Sequence, residues 1–234
     1  MATYNGELYI AEQLQSILTQ LGEDDEIVIS DDGSIDATCE IIEAFHDKRI
    51  RLIHSQYSNA TLNFEHALEQ VNGDIIFLSD QDDVWLDGKV EKCVEELKNY
   101  DLVVTNCRLV NENLETIHSS FFDMYNIGKG LMKNLLYSRY YGSSMAFRRS
   151  LLEKAMPFPP TAEIGHDLWL GLVAESVGRV KFIETPFLLY RRHKGTVTQT
   201  DYILFRSKRS LKEKLKTRYL IIKYILQFRY HHAR

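Results

Sequence analysis

The feature that most constrains the fold is an alternation of short apolar runs with amphipathic segments in the first half of the chain. The segments 64–71 and 90–97 repeat apolar residues at i, i+3, i+4 and i+7, which is typical of helices packed on a core. The runs at 27–29, 75–78 and 102–104 are apolar throughout, as in strands buried on both faces of a parallel sheet. Strands that alternate with helices predict an open α/β sheet flanked by helices.

Composition places the chain among ordinary globular proteins. Its 234 residues are 44% apolar and 26% charged, which is enough to bury a core without disulfides. Cys39, Cys93 and Cys107 lack metal-site spacing and are expected to be buried thiols in a reducing cytosol. No apolar run reaches 18 residues, and Met1 leads straight into polar residues, so neither a transmembrane helix nor a signal peptide is predicted.

Charge is distributed unevenly along the chain. The net charge is −5, but residues 201–234 hold ten Lys or Arg and two acids, which leaves −13 for residues 1–200. Residues 205–230 predict a basic amphipathic helix, whose apolar stripe either packs on the acidic body or lies on an anionic membrane surface. The stripe is formed by Leu211, Leu215, Tyr219, Ile222 and Leu226.

The first acidic cluster reads Ser-Asp-Gln-Asp-Asp-Val-Trp over residues 79–85, directly after an apolar run. Three carboxylates in four positions repel one another unless a cation neutralises them. Their hard oxygens suit Mg²⁺ or Mn²⁺, and Mg²⁺ usually combines one or two carboxylates with phosphate oxygens. The cluster therefore predicts a divalent cation beside a diphosphate; the alternative is a solvated acidic turn before a helix.

The second cluster reads Asp-Asp-Gly-Ser-Ile-Asp-Ala-Thr over residues 31–38. Gly33 permits a tight turn after the strand, and Ser34 is a candidate helix N-cap. The Asp32 carboxylate can accept a hydrogen bond from the imide N–H of uracil or thymine, although capping alone would also explain the motif. Ligands of open parallel sheets bind at the carboxyl ends of strands, so both clusters are expected at one edge of the sheet.

Two later motifs also carry candidate chemistry. His166 and Asp167 open a helix predicted over about 165–177, where Asp167 is either a general base or a partner of the helix dipole. Tyr190 to Gly195 place several cations and one imidazole after a predicted strand. This group either contacts phosphates or a metal, or is a surface charge run.

Taken together, the motifs resemble the family 2 glycosyltransferases over about residues 1–200. The resemblance implies the GT-A fold, a Rossmann-like, mixed and mostly parallel sheet flanked by helices, with a C-terminal helical tail. The spelling of the first acidic cluster resembles the rhamnosyltransferase-like branch. The matching motifs are ATYNGE at 2–7, DDGSIDAT at 31–38, SDQDDVW at 79–85, HD at 166–167 and YRRH at 190–193.

The resemblance assigns the nucleotide site to the first part of the chain. It implies that Thr3, Tyr4 and Glu7 line the nucleotide and that Asp32 reads its pyrimidine base. Family members have a full apolar strand before this segment, whereas Met1 falls inside it here. We therefore expect a first strand that is shorter than in the family, with an upstream start as one explanation.

The resemblance also implies a cation site and a base. Asp80 and Asp82 match the two ends of the family's DxD motif, which binds Mg²⁺ or Mn²⁺ and places Asp80 beside the donor diphosphate. His193 lies where some members supply an extra metal or phosphate contact. Asp167 matches the catalytic base, and His166 before it replaces the more usual Glu.

The implied reaction is a single inverting displacement on a dTDP- or UDP-sugar, with rhamnose as the sugar that the branch resemblance favours. The acceptor would be a glycan or a lipid-linked glycan in cell-surface polysaccharide synthesis. The expected organisation is a nucleotide half at about 1–110, an acceptor half at about 111–200 and the tail at 201–234. The expected location is the cytoplasm, at the inner face of the membrane if the tail binds lipid, and no nucleic-acid partner is expected.

Two rival functions remain open at this point. A nucleotidyltransferase also holds metal beside a nucleotide, but its Gly-rich basic phosphate loop has no counterpart in the ATYNGE segment. A truncated, non-catalytic protein that binds nucleotide without turnover is the second rival, and only the short first strand favours it.

Overall fold

The computed structural model describes residues 1–125, 127–128, 130, 140–161, 163–193 and 210–232. Strands and helices alternate through the first part of the chain and form sheets that are flanked by helices. A long helix ends the described part of the chain. The α/β fold with a C-terminal helix that the sequence predicts is therefore confirmed.

The first sheet along the chain has three parallel strands in the order β1-β2-β3. Its central strand is buried along its whole length, as its apolar run predicts. Helices α1 and α2 cover it through a shared apolar cluster that includes Leu14 and Ile42, while the opposite helix α3 contributes Phe64. The elements are β1 (Ala2–Thr3), α1 (Ile10–Leu18), β2 (Ile27–Asp31), α2 (Thr38–Glu43), β3 (Ile50–His54) and α3 (Ala60–Glu69).

A second sheet has the order β4-β8-β6-β9-β5, with β7 paired to β6. Its long strands β6 and β9 run parallel, while β4, β5, β7 and β8 pair antiparallel with their neighbours. Parallel pairing thus dominates only the first sheet. In the second sheet, a short connection such as 111–115, between β6 and β7, can join only antiparallel strands. The strands are β4 (Ile75–Phe77), β5 (Val84–Trp85), β6 (Leu102–Val110), β7 (Thr116–His118), β8 (Met145–Arg148) and β9 (Val180–Arg191).

The largest apolar cluster lies between the second sheet and α7, which confirms the helix predicted over about 165–177. The middle of this helix, residues 168–174, is apolar and buried on every side, and Leu170, Leu172 and Val173 are fully inaccessible. The remaining helices are α4 (Lys89–Leu97), α5 (Phe121–Tyr125), a 3-10 turn at Gly142–Ser144, α6 (Arg149–Ala155), α7 (His166–Val177) and α8 (Leu211–His232).

Helix α8 supplies the predicted helical tail, but it packs through a different face from the one that the sequence predicts. The buried residues of α8 are Ile221, Ile225 and Phe228, and the Phe228 ring lies 6.0 Å from that of Trp169 on α7. The predicted stripe from Leu215 to Leu226 faces outward; residues 205–209 and the Leu211 side chain lie outside the described part. Within the described residues, no helix combines the length and hydropathy needed to cross a bilayer.

The segment 3–7 joins the two sheets at the ends of their strands. The Tyr4 N–H donates to the Gln81 side-chain oxygen at 2.8 Å, and the Gln81 side-chain nitrogen donates to the Tyr4 carbonyl at 3.0 Å. Gln81 lies in the 79–83 loop that follows β4. These two bonds form a clasp between the first strand and that loop, although the strand pairs of the two sheets are separate in the described residues.

The other side of segment 3–7 is bonded to the loop after β2. Asn5 accepts from the Ile35 N–H at 2.9 Å and donates its own N–H to Ser34 at 2.8 Å. The Gly6 N–H donates to the Thr38 hydroxyl at 2.7 Å. Segment 3–7 is therefore tied to both acidic loops, and it sets the distance between them.

We predict that Gly6→Ala opens the Gln81 clasp and destabilises the protein. A methyl group at position 6 would lie 2.5 Å from the Gln81 side-chain oxygen, and Gln81 cannot retreat without losing both bonds to Tyr4. The expected loss is roughly 1–3 kcal/mol in the free energy of unfolding, measured by urea denaturation. Gly73→Ala is the control, since its added methyl group meets an ordinary contact at 3.5 Å. Equal stability of both variants would contradict the clasp.

Candidate functional site

The loop after β4 is held in place through its main chain. The Asp80 N–H donates to the Ser143 hydroxyl at 3.0 Å, and the Asp80 carbonyl accepts from the Gln13 side chain at 3.1 Å. Gln13 is fully buried on α1 and also donates to Ser79 at 2.8 Å. The Asp80 carboxylate is left to face Tyr141, whose hydroxyl lies at 3.4 Å. Gln13 has no counterpart in the sequence motifs and acts here as a positioning residue.

His193 lies against the same loop. Its Nε2 is 2.9 Å from an Asp82 carboxylate oxygen, so the structure brings together two of the three residues that the resemblance assigns to the cation. The imidazole also packs against the Tyr9 ring in a tilted arrangement, with ring centroids 4.5 Å apart. The His193 and Asp82 side chains are 13% and 15% exposed, so water competes little for the contact between them.

Arg191 is a buried cation that bonds the 79–83 loop. Its backbone N–H donates to the Asp83 carboxylate at 3.1 Å, and its side-chain Nε donates to the Asp82 carbonyl at 2.8 Å. Its remaining guanidinium nitrogens bond the Glu112 carbonyl at 2.9 Å and pair with Glu12. Arg191 is 3% exposed, so the interpretation of this cation as a surface charge is wrong.

The acidic loop carries an electrostatic penalty. Burial raises the pKa of Asp80, and the nearby charge of Asp82 raises it further. The pKa of Asp83 is raised well above its usual range by burial and then by its two acidic neighbours. Within the described residues, one buried oxygen of Asp83 has no hydrogen-bond partner. A divalent cation would relieve this repulsion, and carboxylate oxygens are the ligands that Mg²⁺ and Mn²⁺ prefer, so the residues fit such an ion.

A second group with metal-ligand chemistry lies at the last residues of β2 and β3 and on α2. In the described part of the chain, only Asp31, Cys39 and His54 bring three possible ligand atoms within 4.8 Å of one another. Asp31 already accepts bonds from Thr3 at 2.8 Å and Ser34 at 2.6 Å. Burial and the Asp31 charge raise the pKa of the Cys39 thiol to about 11, so the thiolate that binds metals is disfavoured at neutral pH. The Cys39 thiol is therefore a poor metal ligand at neutral pH, and the three ligands implied by the resemblance are more widely spaced than this group.

The three residues assigned to the nucleotide differ in availability. Thr3 is buried, and its hydroxyl is used by Asp31. Glu7 accepts the Ala37 N–H at 3.0 Å and thereby caps the start of α2. Tyr4 is 57% exposed and presents its ring at the sheet edge. Tyr4 and Glu7 are therefore exposed to a ligand, although Glu7 is also engaged at the start of α2, while Thr3 is buried inside the segment.

Asp32 follows β2 and orders the next loop. Its carboxylate accepts the backbone N–H groups of Tyr57 and, at 3.0 Å, of Asn59. A carboxylate offers about four lone-pair sites, so these bonds leave acceptor capacity for an imide N–H. The base-reading role of Asp32 stays a prediction.

Asp167 begins α7 in a buried setting. Burial raises the pKa of its carboxyl group to about 6, and the Leu168 N–H donates to it at 2.6 Å. Its charge contributes to the raised pKa of Asp80, which puts the two carboxylates within electrostatic reach of one another. His166 stacks on Phe64 at 4.0 Å, and burial lowers the pKa of its imidazole to about 4, so that it is neutral. A carboxylate with a pKa near neutrality is suited to general-base work.

The 3-10 turn at 142–144 connects the base to the acidic loop. A methyl group added at Gly142 would lie 3.0 Å from His166 Nε2, so the absence of a side chain allows this close approach. Ser143 bonds Asp80 from the same turn, and its carbonyl accepts from Lys89 at 2.7 Å. Lys89 is fully buried over the Trp85 ring, and burial lowers its pKa to about 8. A lysine on an amphipathic helix is expected at the surface, so only the folded structure shows that Lys89 is buried and bonded to Ser143.

A family model described as glycosyl transferase family 2 matches residues 1–156. The dTDP-rhamnosyl transferase RfbG of Shigella flexneri is 36% identical over 128 residues, which cover 51% of this chain and 43% of that protein. The Escherichia coli UDP-Glc:alpha-D-GlcNAc-diphosphoundecaprenol beta-1,3-glucosyltransferase WfaP is 26% identical over 203 residues, or 86% of this chain and 79% of that protein. The chain spans 43% to 63% of the length of three curated relatives that it matches.

Solved structures share the fold. TarS 1–349 of Staphylococcus aureus, in complex with UDP-GlcNAc, matches with a TM-score of 0.69 and 17% identity over 99% of this chain and 71% of that one. The mannosyltransferase PcManGT of Pyrobaculum calidifontis, in complex with GDP-Man and Mn²⁺, matches with a TM-score of 0.55 and 23% identity over 79% and 53%. The GT-A fold is thus confirmed. Together with the matched motifs and their meeting at one edge, these findings show that the chain belongs to glycosyl transferase family 2.

Proposed function

We propose that the chain is an inverting, metal-dependent glycosyltransferase of the hexosyltransferase type. It moves a sugar from a nucleoside-diphosphate sugar to a glycan or lipid-linked acceptor in cell-surface polysaccharide synthesis. The observation that carries this proposal is that segment 3–7 is bonded to both acidic loops, and that one of these loops is bonded to the turn at 142–144, which packs against His166 and Asp167. The relatives named as rhamnosyl and glucosyl transferases support the reaction class.

Asp167 is the proposed base in this reaction. The acceptor oxygen forms a bond to the anomeric carbon while the bond from that carbon to the donor phosphate oxygen breaks. The acceptor proton passes to the Asp167 carboxylate, and the nucleoside diphosphate leaves. With a pKa of about 6, the carboxylate is ionised at neutral pH and is still basic enough to take the proton.

Asp80, Asp82 and His193 are the residues proposed to hold Mg²⁺ or Mn²⁺. The bound ion would stabilise the charge that develops on the leaving diphosphate. Arg191 and Gln13 hold the main chain of the loop, so the carboxylates are oriented before the donor binds. This preorganisation reduces the reorganisation needed during transfer.

A pyrimidine nucleotide is the proposed donor base, with dTDP-rhamnose favoured by the similarity to RfbG. Asp32 would accept the N3–H that uracil and thymine share, and the exposed Tyr4 ring would lie beside the nucleotide. Because the shared N3–H cannot distinguish the two bases, UDP-sugars remain the second donor class.

The proposed organisation is a nucleotide half at about 1–110, an acceptor half at about 111–200 and a tail at 201–234. The three cysteines are free thiols in the structure, which fits a reducing cytoplasm. The rival proposal of a non-catalytic nucleotide-binding protein makes the opposite prediction for turnover. It requires nucleotide binding without sugar transfer, so a transfer assay separates the two.

We predict that Asp167→Asn lowers the transfer rate by roughly 10²–10⁴-fold and leaves donor binding intact. In the parent enzyme the base becomes protonated as the pH falls through about 6, so its rate should fall below that pH. The residual rate of the variant should lack this acidic limb. Steady-state kinetics on both sides of this pH test both expectations, with Glu153→Gln on α6 as an exposed-acid control. Transfer within a few-fold of the parent would remove Asp167 as the base.

We predict that Asp82→Ala weakens Mn²⁺-dependent binding of the nucleoside diphosphate by at least about tenfold, since it removes a proposed ligand and the partner of His193. Calorimetry with and without Mn²⁺ measures the effect. Asp87→Ala is the matched control, because Asp87 is an exposed acid just after β5. Binding of equal strength in the absence of metal would contradict the cation role.

We predict that a panel of donors shows a preference for pyrimidine nucleotides, led by dTDP-rhamnose, because the proposed Asp32 contact needs an imide N–H. Transfer rates with dTDP-, UDP- and GDP-sugars are the measurement. A preference for purine donors would overturn the Asp32 role, whereas a preference for UDP-sugars would overturn only the choice of rhamnose.

A further inference from the structure

Helix α8 has two apolar faces, and the protein covers one of them. Ile221, Ile225 and Phe228 are buried, with Thr217 on the same side of the helix. The Phe228 ring contacts Trp169 on α7 edge-on, with centroids 6.0 Å apart. This face therefore accounts for how the helix is attached to the body.

The opposite face carries a continuous row of large side chains, which we name the exposed stripe. Its members are between 47% and 66% exposed, and their spacing of three or four residues keeps them in line over four turns of the helix. Single exposed apolar residues are normal, but a contiguous row of this length marks an interaction surface. The exposed stripe consists of Leu215, Tyr219, Ile222, Leu226 and Tyr230.

Cations border the exposed stripe on both sides. At about 100° per residue, one flank holds three lysines and the other holds two arginines. Glu213 is the single acid between residues 211 and 232, and it projects away from the stripe. The flanking cations are Lys212, Lys216, Lys223, Arg218 and Arg229, of which Lys216 also pairs with Glu163.

We propose that the exposed stripe of α8 docks on an anionic membrane surface. Apolar side chains would enter the lipid, while the flanking cations meet the headgroups at about 1 kcal/mol each. Tyr219 and Tyr230 suit this boundary, since tyrosine rings favour the membrane–water interface. A second copy of the chain is a poorer partner, because a symmetric contact would bring equal rows of cations together.

The position of α8 relates this surface to the proposed site. Glu163 accepts hydrogen bonds from Thr217 and Lys216, both at 3.0 Å, and it lies four residues before Asp167. The start of α8 is therefore bonded to the segment that leads into the proposed base. If the proposed function holds, membrane docking would bring a lipid-linked acceptor to that side of the site.

Flotation of the full chain with lipid vesicles tests the proposal. We expect binding to vesicles that contain phosphatidylglycerol, weak binding to pure phosphatidylcholine, and release at high salt because the charges are screened. The variant Leu215→Gln/Leu226→Gln should bind the anionic vesicles roughly tenfold more weakly. The matched control is Leu62→Gln/Ile117→Gln, which alters two exposed apolar residues away from α8 and should bind like the parent.

Three results would overturn the proposal: unchanged binding by the stripe variant, equal binding to neutral vesicles, or self-association of the parent that the stripe variant abolishes. Thermal unfolding should be the same for parent and variant, because the altered side chains are exposed. Mn²⁺-dependent nucleotide binding, measured on the same samples, reports on the proposed function separately. Loss of vesicle binding with intact nucleotide binding would support the docking surface alone.

Discussion

The arrangement of the site depends on one electrostatic constraint, the crowding of the partly buried Asp80 and Asp82 and the buried Asp83 in a single loop. Burial and mutual repulsion raise the pKa of the first and last of these carboxyl groups, and a chain without compensating groups would not keep them together. The protein holds the loop by its main chain, through Arg191 and Gln13, so the carboxylates of Asp80 and Asp82 remain available to the proposed cation. The repulsion between the carboxylates would be relieved by a divalent ion, which is why we propose one at this loop.

Hydrogen bonds from segment 3–7 join the two halves of the site. Segment 3–7 bonds the loop after β2 on one side and Gln81 on the other, so the proposed base-reading and cation-binding carboxylates are set by one short piece of chain. Ser143 and Gly142 extend this connection to the start of α7, where burial gives Asp167 a pKa of about 6. Donor binding and proton removal are therefore proposed to occur on neighbouring groups, joined by hydrogen bonds from segment 3–7 through the 79–83 loop to Ser143 and by close packing from Gly142 to the start of α7.

The two faces of α8 separate attachment from recognition. Ile221, Ile225 and Phe228 attach the helix to the body, whereas the side chains of the exposed stripe face away from it. The proposed anionic lipid surface would match both the hydrophobicity of this row and the charge of the cations beside it. A catalytic domain that docks in this way would meet a lipid-linked acceptor in two dimensions, which raises the effective concentration of that acceptor.

Elements and motifs with local signals could be predicted from the amino-acid sequence. Apolar runs predict the buried strands, helical spacing predicts α3 and α4, and acidic residues placed after strand ends predict the edge at which the site lies. Only the tertiary structure decided which side chains hold these elements together. Arg191 meets Glu12 across 179 residues and Gln81 meets Tyr4 across 77, and such contacts leave no periodic trace. The packed face of α8 was also decided there, because a helix with two apolar faces has no preferred side until its neighbour α7 is in place.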